Sequence, residues 1–351
     1  MNLLTALGKI LIFPGFFFLG TYSFFLSYYD RKLYARLQNR IGPPWYQPLA
    51  DALKLIGKET IIPADANRKM FSTIPVFSLA AMAAVFVYIP VWGRESIYYF
   101  GGDLIVVLYF LTIPALASFL AGWYSRSIYA TVGSTRVLTQ MFSYEVPLFM
   151  ALLAPTLLSG SWSITENLIY YGEHPWHILI NIPSFVAVMI AAQCKLERTP
   201  FDAPEAETEI VSGPLVEYGG RYLVFFSFAK NCELTVVLSL IAAMFLPFTT
   251  GTPWIDFLLY LGKTIVLLSI LCLMRAVTAR LKIDQIIKLC SVGSCSGTRT
   301  SRTYRAHACR GSIWFSVKIL VDLDLGDLIS DIYLTSVSGD CYLTIRINIC
   351  Q

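Results

Sequence analysis

Residues 195–221 read KLERTPFDAPEAETEIVSGPLVEYGGR. Six acids, Glu197, Asp202, Glu205, Glu207, Glu209 and Glu217, crowd a segment with Arg198 as its one internal basic residue, and strongly apolar runs lie on both sides. A turn of helix across 205–209 would put Glu205 and Glu209 on one face, where like charges repel unless a proton, a cation or a basic partner is shared. Pro200 and Pro204 fix φ and push their preceding residues out of α, and Gly213, Pro214, Gly219 and Gly220 break the chain again. The stretch therefore reads as a shaped loop. The plain alternative is a solvated acidic surface, and the flanks argue against it.

Those flanks set the fold class. Hydrophobic residues make up 56% of the chain and charged ones 14%, against about 25% charge in ordinary soluble domains. Apolar runs near 8–29, 72–92, 103–124, 141–160, 178–194, 221–247 and 254–278 are long enough to cross about 30 Å of hydrocarbon as helices. The expectation is an all-α, polytopic membrane protein with seven spans before residue 290. The first run lacks a basic leader and a small-residue cleavage site, so it reads as a retained helix.

Basic residues alternate between the connections. Arg31, Lys32, Arg36, Arg40, Lys54, Lys58, Arg68 and Lys69 follow the first run, the next connection has only Arg94, and 161–177 has no Lys or Arg. They return at Arg126, Arg136, Lys195, Arg198, Arg221, Arg275, Arg280, Lys282 and Lys288. The positive-inside rule then places the N-terminus outside and the loops 30–71 and 195–221 on the cytoplasmic side. The net charge of +4 is dispersed along membrane borders, which excludes a nucleic-acid partner. Within the first loop, Leu49, Ala52, Leu53, Leu55 and Ile56 recur at helical spacing beside Lys54, Lys58 and Glu59. That segment, near 48–58, is too short and charged to span and reads as an amphipathic helix in the interface.

The motifs YDRKLYARLQNRIGPP (29–44), QPLADALKLIGKETIIPADANR (47–68), SYEVPL (143–148) and ERTPFDAPEAETEIVSGPLVEYGG (197–220) resemble one family in their order. It is the membrane subunit that joins the membrane arm of respiratory complex I to the peripheral redox arm, with counterparts in energy-converting hydrogenases and ferredoxin-dependent sulfur-reducing complexes. The resemblance covers residues 1 to about 288. It implies a non-catalytic subunit in the cell membrane that binds no cofactor itself, with iron–sulfur clusters, in some branches a NiFe centre, in peripheral partners. Hydrogenase-like large subunits and antiporter-like membrane subunits would be its neighbours. It further implies that Gln38, Arg40 and Arg198 belong to the docking surface or a quinone-like cavity. Asp202, Glu205, Glu207, Glu209 and Glu217 match acids of a funnel loop, and Glu145 an intramembrane acid that relays H⁺ or Na⁺.

Elementary electrostatics points to overlapping residues. Glu145 stands in the apolar run MFSYEVPLFMALLAP, where an ionised carboxylate is costly unless paired or hydrated. Asp103, at the entry of a span, reads as an interfacial cap or a relay acid. Lys230 and Glu233 stand at i,i+3, close enough to pair. Lys263 lies mid-run, which favours a polar channel over snorkelling.

Departures from the family pattern separate its branches. Ile41-Gly42-Pro43-Pro44-Trp45-Tyr46 runs directly into Gln47 where quinone-reducing members carry a longer element, and Lys195 and Lys230 stand where those members tend to have Glu. The favoured branch is the hydrogenase or sulfur-reducing type, with quinone binding as the alternative. A stand-alone ion-coupled transporter is the reading from another class, although no internal repeat supports it. Residues 1–289 read as one membrane domain. Residues 290–351 lose the apolar pattern and carry Cys290, Cys295, Cys309, Cys341 and Cys350, which suggests a shifted reading frame in place of an eighth span. His307 is the one nearby histidine, so a zinc site there is disfavoured. Cys194, Cys232 and Cys272 read as packing residues.

Overall fold

The acidic stretch leaves the helical bundle and folds back onto it. The computed structural model describes residues 8, 11–94 and 96–295, apart from the side chains of 207, 208 and 291–295. The described helices belong to one compact unit, Met1–Gly293, with no strand among the described residues. In chain order they are α1 (Phe16–Leu37), α2 (Gln47–Ile56), α3 (Arg68–Phe86), α4 (Asp103–Ser125), α5 (Ile128–Ser159), α6 (Ile164–Glu173), α7 (His177–Ile180) and α8 (Ile182–Lys195). After them come α9 (Glu207–Ile210), a 3-10 turn (Gly213–Leu215), α10 (Gly220–Phe245), α11 (Pro253–Val277) and α12 (Ile283–Cys295).

Five of these, α3, α4, α5, α10 and α11, are long and apolar enough to span a membrane. The other two expected runs form helices of a different kind. α1 carries Asp30, Arg31, Lys32 and Arg36 in its second half. The run near 178–194 is broken at Asn181 into α7 and α8, and the 14 residues of α8 reach only about 21 Å. α5 starts at Ile128, well before the expected 141, and its 32 residues make a rod of about 48 Å, longer than one crossing needs. α2 is the expected short amphipathic helix, with Leu49, Leu53 and Ile56 exposed.

α10 is the hub. It packs against α1, α3 and α11, and every residue from Cys232 to Phe245 is buried, as a helix surrounded by other helices requires. α4 lies between α3 and α5, α8 rests on α5, and α11 closes the bundle against α1 and α10. Between apolar helices in lipid, polar side chains supply directional contacts. Ser239 pairs with Tyr260 at 2.7 Å and Tyr29 with Ser269 at 3.1 Å, and Tyr22 with Thr264 does the same across α1 and α11. Cys194, Cys232 and Cys272 are fully buried. The tail reading for 290–351 meets the structure only up to α12; Cys309, Cys341, Cys350, His307 and the Cys295 side chain lie outside the described residues.

The returning loop is seated by backbone contact. Gly213 adopts φ +60°, and a Cβ there would stand 2.1 Å from the Pro204 carbonyl oxygen. Gly133 of α5 receives the turn so closely that a Cβ would sit 2.6 Å from the Gly213 carbonyl carbon and the Pro214 nitrogen. Farther on, the ring of Tyr218 lies flat on Phe71 of α3 with centroids 3.9 Å apart. Gly133→Ala should therefore lower the melting temperature of the detergent-purified protein, by an overpacking cost of about 1–3 kcal/mol. Gly262→Ala, on an open stretch of α11, should leave it unchanged or raise it. Equal melting for the two variants would show that the loop does not need this approach.

Candidate functional site

Each end of the acidic loop is tied to the bundle by charge. Lys230, projecting from α10, takes two carboxylates from the loop: Glu197 at 3.0 Å and Glu205. Arg136 of α5 binds Glu209 at 2.6 Å, and Arg280, beyond α11, binds Asp202. In the opposite sense, Arg198 of the loop reaches Asp30 of α1 at 2.8 Å, where Arg275 of α11 approaches the other carboxylate oxygen at 3.4 Å and lies over the ring of Tyr34. The exposed members of this set contribute little each. Asp30, with a side chain 5% exposed, is the buried hub of the second cluster.

One step deeper lies a pair with almost no solvent. Lys195, the last residue of α8, binds Glu233 of α10 at 2.9 Å, their side chains 1% and 8% exposed. The same ammonium donates to the Leu111 carbonyl of α4 at 2.6 Å. A cavity of about 10 Å³, lined by Ser78, Ser118, Lys195, Glu197, Lys230 and Glu233 among others, joins this pair to the Lys230 cluster. It has about the room of one water molecule. The charges thus form a continuous series from the loop into the bundle.

The matching family model, described as NADH dehydrogenase, covers residues 9–294. The chain belongs to this family. Among the relatives of this NADH dehydrogenase family chain, a subunit of the NADH-quinone oxidoreductase of Verminephrobacter eiseniae is 34% identical over 288 residues, 76% of this chain and 80% of the relative. Subunit 8 of the Thermus thermophilus NADH-quinone oxidoreductase is 35% identical over 301 residues, 81% of each chain. A chain in the solved structure of the membrane-bound sulfane sulfur reductase, an archaeal respiratory membrane complex, is similar at 25% identity and a TM-score of 0.71, over 84% of this chain and 99% of that one.

In this family member the expected site residues fall into three groups. Asp202, Glu205, Glu209, Lys230, Glu233 and Arg198 join the charge series, with two changes of partner. Lys230 and Glu233 do not pair with each other, because neighbouring helices and the loop offer each a better-placed opposite charge. Glu205 and Glu209 do not face each other, because the helical turn starts only at Glu207 and their side chains leave toward α10 and α5. Glu207 lies in that turn, and its side chain is outside the description. A second group makes no side-chain hydrogen bond or ion pair among the described residues: Glu145 and Glu217, half-buried, and Gln38 and Arg40, with exposed side chains where the first loop leaves α1.

The third group serves the opposite end of the bundle. The carboxylate of Asp103 accepts the Ile164 backbone N–H at 2.8 Å and the Ser163 hydroxyl at 3.3 Å, capping α6 across the bundle. Lys263 reaches out of α11 to the Phe248 carbonyl at 2.7 Å. Phe248 lies in the connection between α10 and α11, so the side chain is held at that end of the bundle. Sequence reasoning missed Asp30 and Arg275. An acid directly after the apolar stretch of α1 was the available signal, hidden because Arg31 and Lys32 follow it.

Burial pushes the Glu197 carboxyl above the ordinary glutamate range, against the pull of the Lys230 ammonium and with help from Glu205. Burial likewise raises Asp202 against the pull of Arg280. A carboxyl whose folded pKa is raised contributes its stability below the unfolded value and loses it as pH climbs through the raised one. Glu197→Gln should therefore flatten the fall in thermal stability on the alkaline side of the ordinary glutamate pKa; an unchanged slope would contradict the assignment. Asp30→Asn, which leaves two guanidinium groups facing a neutral side chain, should cost about 3–5 kcal/mol. Arg31→Ala, which breaks an exposed pair with Asp51, should cost at most about 1 kcal/mol. Denaturant titration of both variants checks the contrast.

Proposed function

We propose that this chain is the membrane subunit of a complex-I-related respiratory complex. It docks an iron–sulfur redox arm on the surface that carries Gln38, Arg40 and the acidic loop, and converts redox events there into H⁺ or Na⁺ movement through the charge series. The observation that carries the reading is Lys230, which holds two loop carboxylates on one side and borders the cavity of the Lys195–Glu233 pair on the other. A change of charge above the loop shifts the balance between Glu197 and Glu205 on this single ammonium, and the shift is felt at the deeper pair. Couplings of about 1–3 kcal/mol are typical of such linkage, and a charge altered inside a low-dielectric bundle can supply that much. Glu145, half-buried on α5 near Lys195, extends the series toward a neighbouring membrane subunit. The Lys and Arg residues at the helix ends favour a cytoplasmic orientation for this face by the positive-inside rule.

Two lysines favour a ferredoxin-dependent, sulfur-reducing or hydrogenase branch. Lys195 and Lys230 make ion pairs with the acids around them, where the resemblance led us to expect Glu in quinone-reducing members. The likeness to the sulfane sulfur reductase chain supports the same branch. The names of the relatives at 34% and 35% identity favour the second reading, a quinone-binding subunit of an NADH-oxidising complex. Assays of the purified native complex separate the two. Ferredoxin-dependent sulfide or hydrogen production without quinone supports the first, and quinone-dependent NADH oxidation supports the second. In reconstituted vesicles, Glu145→Gln and Glu205→Gln should lower redox-driven ion uptake at least severalfold while electron transfer through the soluble arm persists. Full ion uptake in both variants would remove these residues from the route.

A further inference from the structure

Lys195 is buried more deeply than a helix-terminal lysine needs to be, and what surrounds its nitrogen is a ligand set for a cation. Glu233 provides a carboxylate oxygen at 2.9 Å, Leu111 a carbonyl oxygen at 2.6 Å, and the ring of Tyr144 an aromatic face with its centroid 5.7 Å away. The Leu111 carbonyl lies in the turn of α4 that precedes Pro114. Pro114 has no N–H for the carbonyl of Phe110, four residues back, and crowds it with its ring, which loosens the turn that also contains Leu111. The Leu111 carbonyl oxygen, which has two lone pairs, accepts the Lys195 ammonium from another helix in that turn. Carboxylate, carbonyl and aromatic face are the groups that replace water around a small monovalent cation.

We propose that Lys195 is a tethered cation. Its ammonium fills a monovalent-cation site built from Glu233 and the Leu111 carbonyl, and so keeps a mobile ion such as sodium from binding this acid. Lys195 is then a selectivity-determining and positioning residue: it holds Glu233 charge-compensated and leaves the exchangeable part of the series to Glu197, Glu205 and Lys230. The inference deepens the coupling reading above, in which Glu233 lies at the inner end of the charge series. Its test measures ion binding, not pumping, and so fails or stands separately from that reading.

The experiment uses the complex purified with its co-assembling subunits, and reads melting temperature in detergent at matched ionic strength in sodium chloride, choline chloride or n-propylammonium chloride. Propylammonium replaces the Cγ, Cδ, Cε and Nζ atoms that Lys195→Ala removes. In K195A, sodium and propylammonium should each raise the melting temperature by several degrees over choline, with a rise that grows with the logarithm of their concentration, as binding to the folded state requires. The unsubstituted protein, K195R and the doubly neutral K195A/E233Q should melt at the same temperature in all three salts. The proposal is overturned if K195A melts alike in the three salts, or if K195A/E233Q or the unsubstituted protein has the same salt preference. It also falls if K195A assembles in none of the salts, whether K195A/E233Q assembles, so that no ion replaces the ammonium, or also fails, so that the lysine stem is needed for packing.

Discussion

One ammonium group holds the acidic loop in place. Lys230 binds Glu197 and Glu205, residues at opposite ends of the turn that contains Pro200 and Pro204, and so cinches the loop before it continues to the Gly213–Leu215 turn. The constraint behind this is electrostatic. A segment with six acids is drawn against an apolar helical bundle, and charge in such surroundings persists only when it is compensated. The loop meets that requirement by taking basic partners from different elements: Lys230 from α10, Arg136 from α5, and Arg280 from beyond α11. The one basic residue inside the loop is matched to the buried Asp30.

Compensation shapes the helices as well. α10 is the most enclosed span, with 67% of its most apolar window buried against 33–50% in the others, yet it carries Lys230 and Glu233 one turn apart. Each reaches other partners, so the Lys230–Glu197 and Lys195–Glu233 pairs both line a cavity of about one water molecule. Glycines permit the arrangement: Gly133 and Gly213 let backbone approach backbone where the loop enters between α4 and α5. In the proposed coupling, a charge arriving at the loop would act on this closely fitted set of groups through a change of pairing.

The helical, membrane-crossing architecture could be read from the sequence because span length and charge exclusion are local properties. The amphipathic α2 and the folded character of 195–221 could be read for the same reason, from helical spacing and from proline and glycine. Partners could not. Spacing along a helix offered Lys230 only Glu233, whereas its actual partners lie 33 and 25 residues away. Asp30 was masked by the basic residues beside it, and the break at Asn181 by an apolar run that continues through it. Contacts between helices depend on register and rotation, which the apolar pattern of a buried helix leaves undetermined.

In the proposed function, charge pairing at Lys230 links the loop to the interior of the bundle. The most direct measurement is redox-driven ion uptake by vesicles containing Lys230→Glu, Glu205→Lys, or both. Each single reversal should abolish most of the uptake while soluble-arm electron transfer continues, and the double reversal, which restores an opposite pair, should recover a substantial part. Uptake unaffected by either single reversal, or a double variant no better than the worse single, would contradict that link.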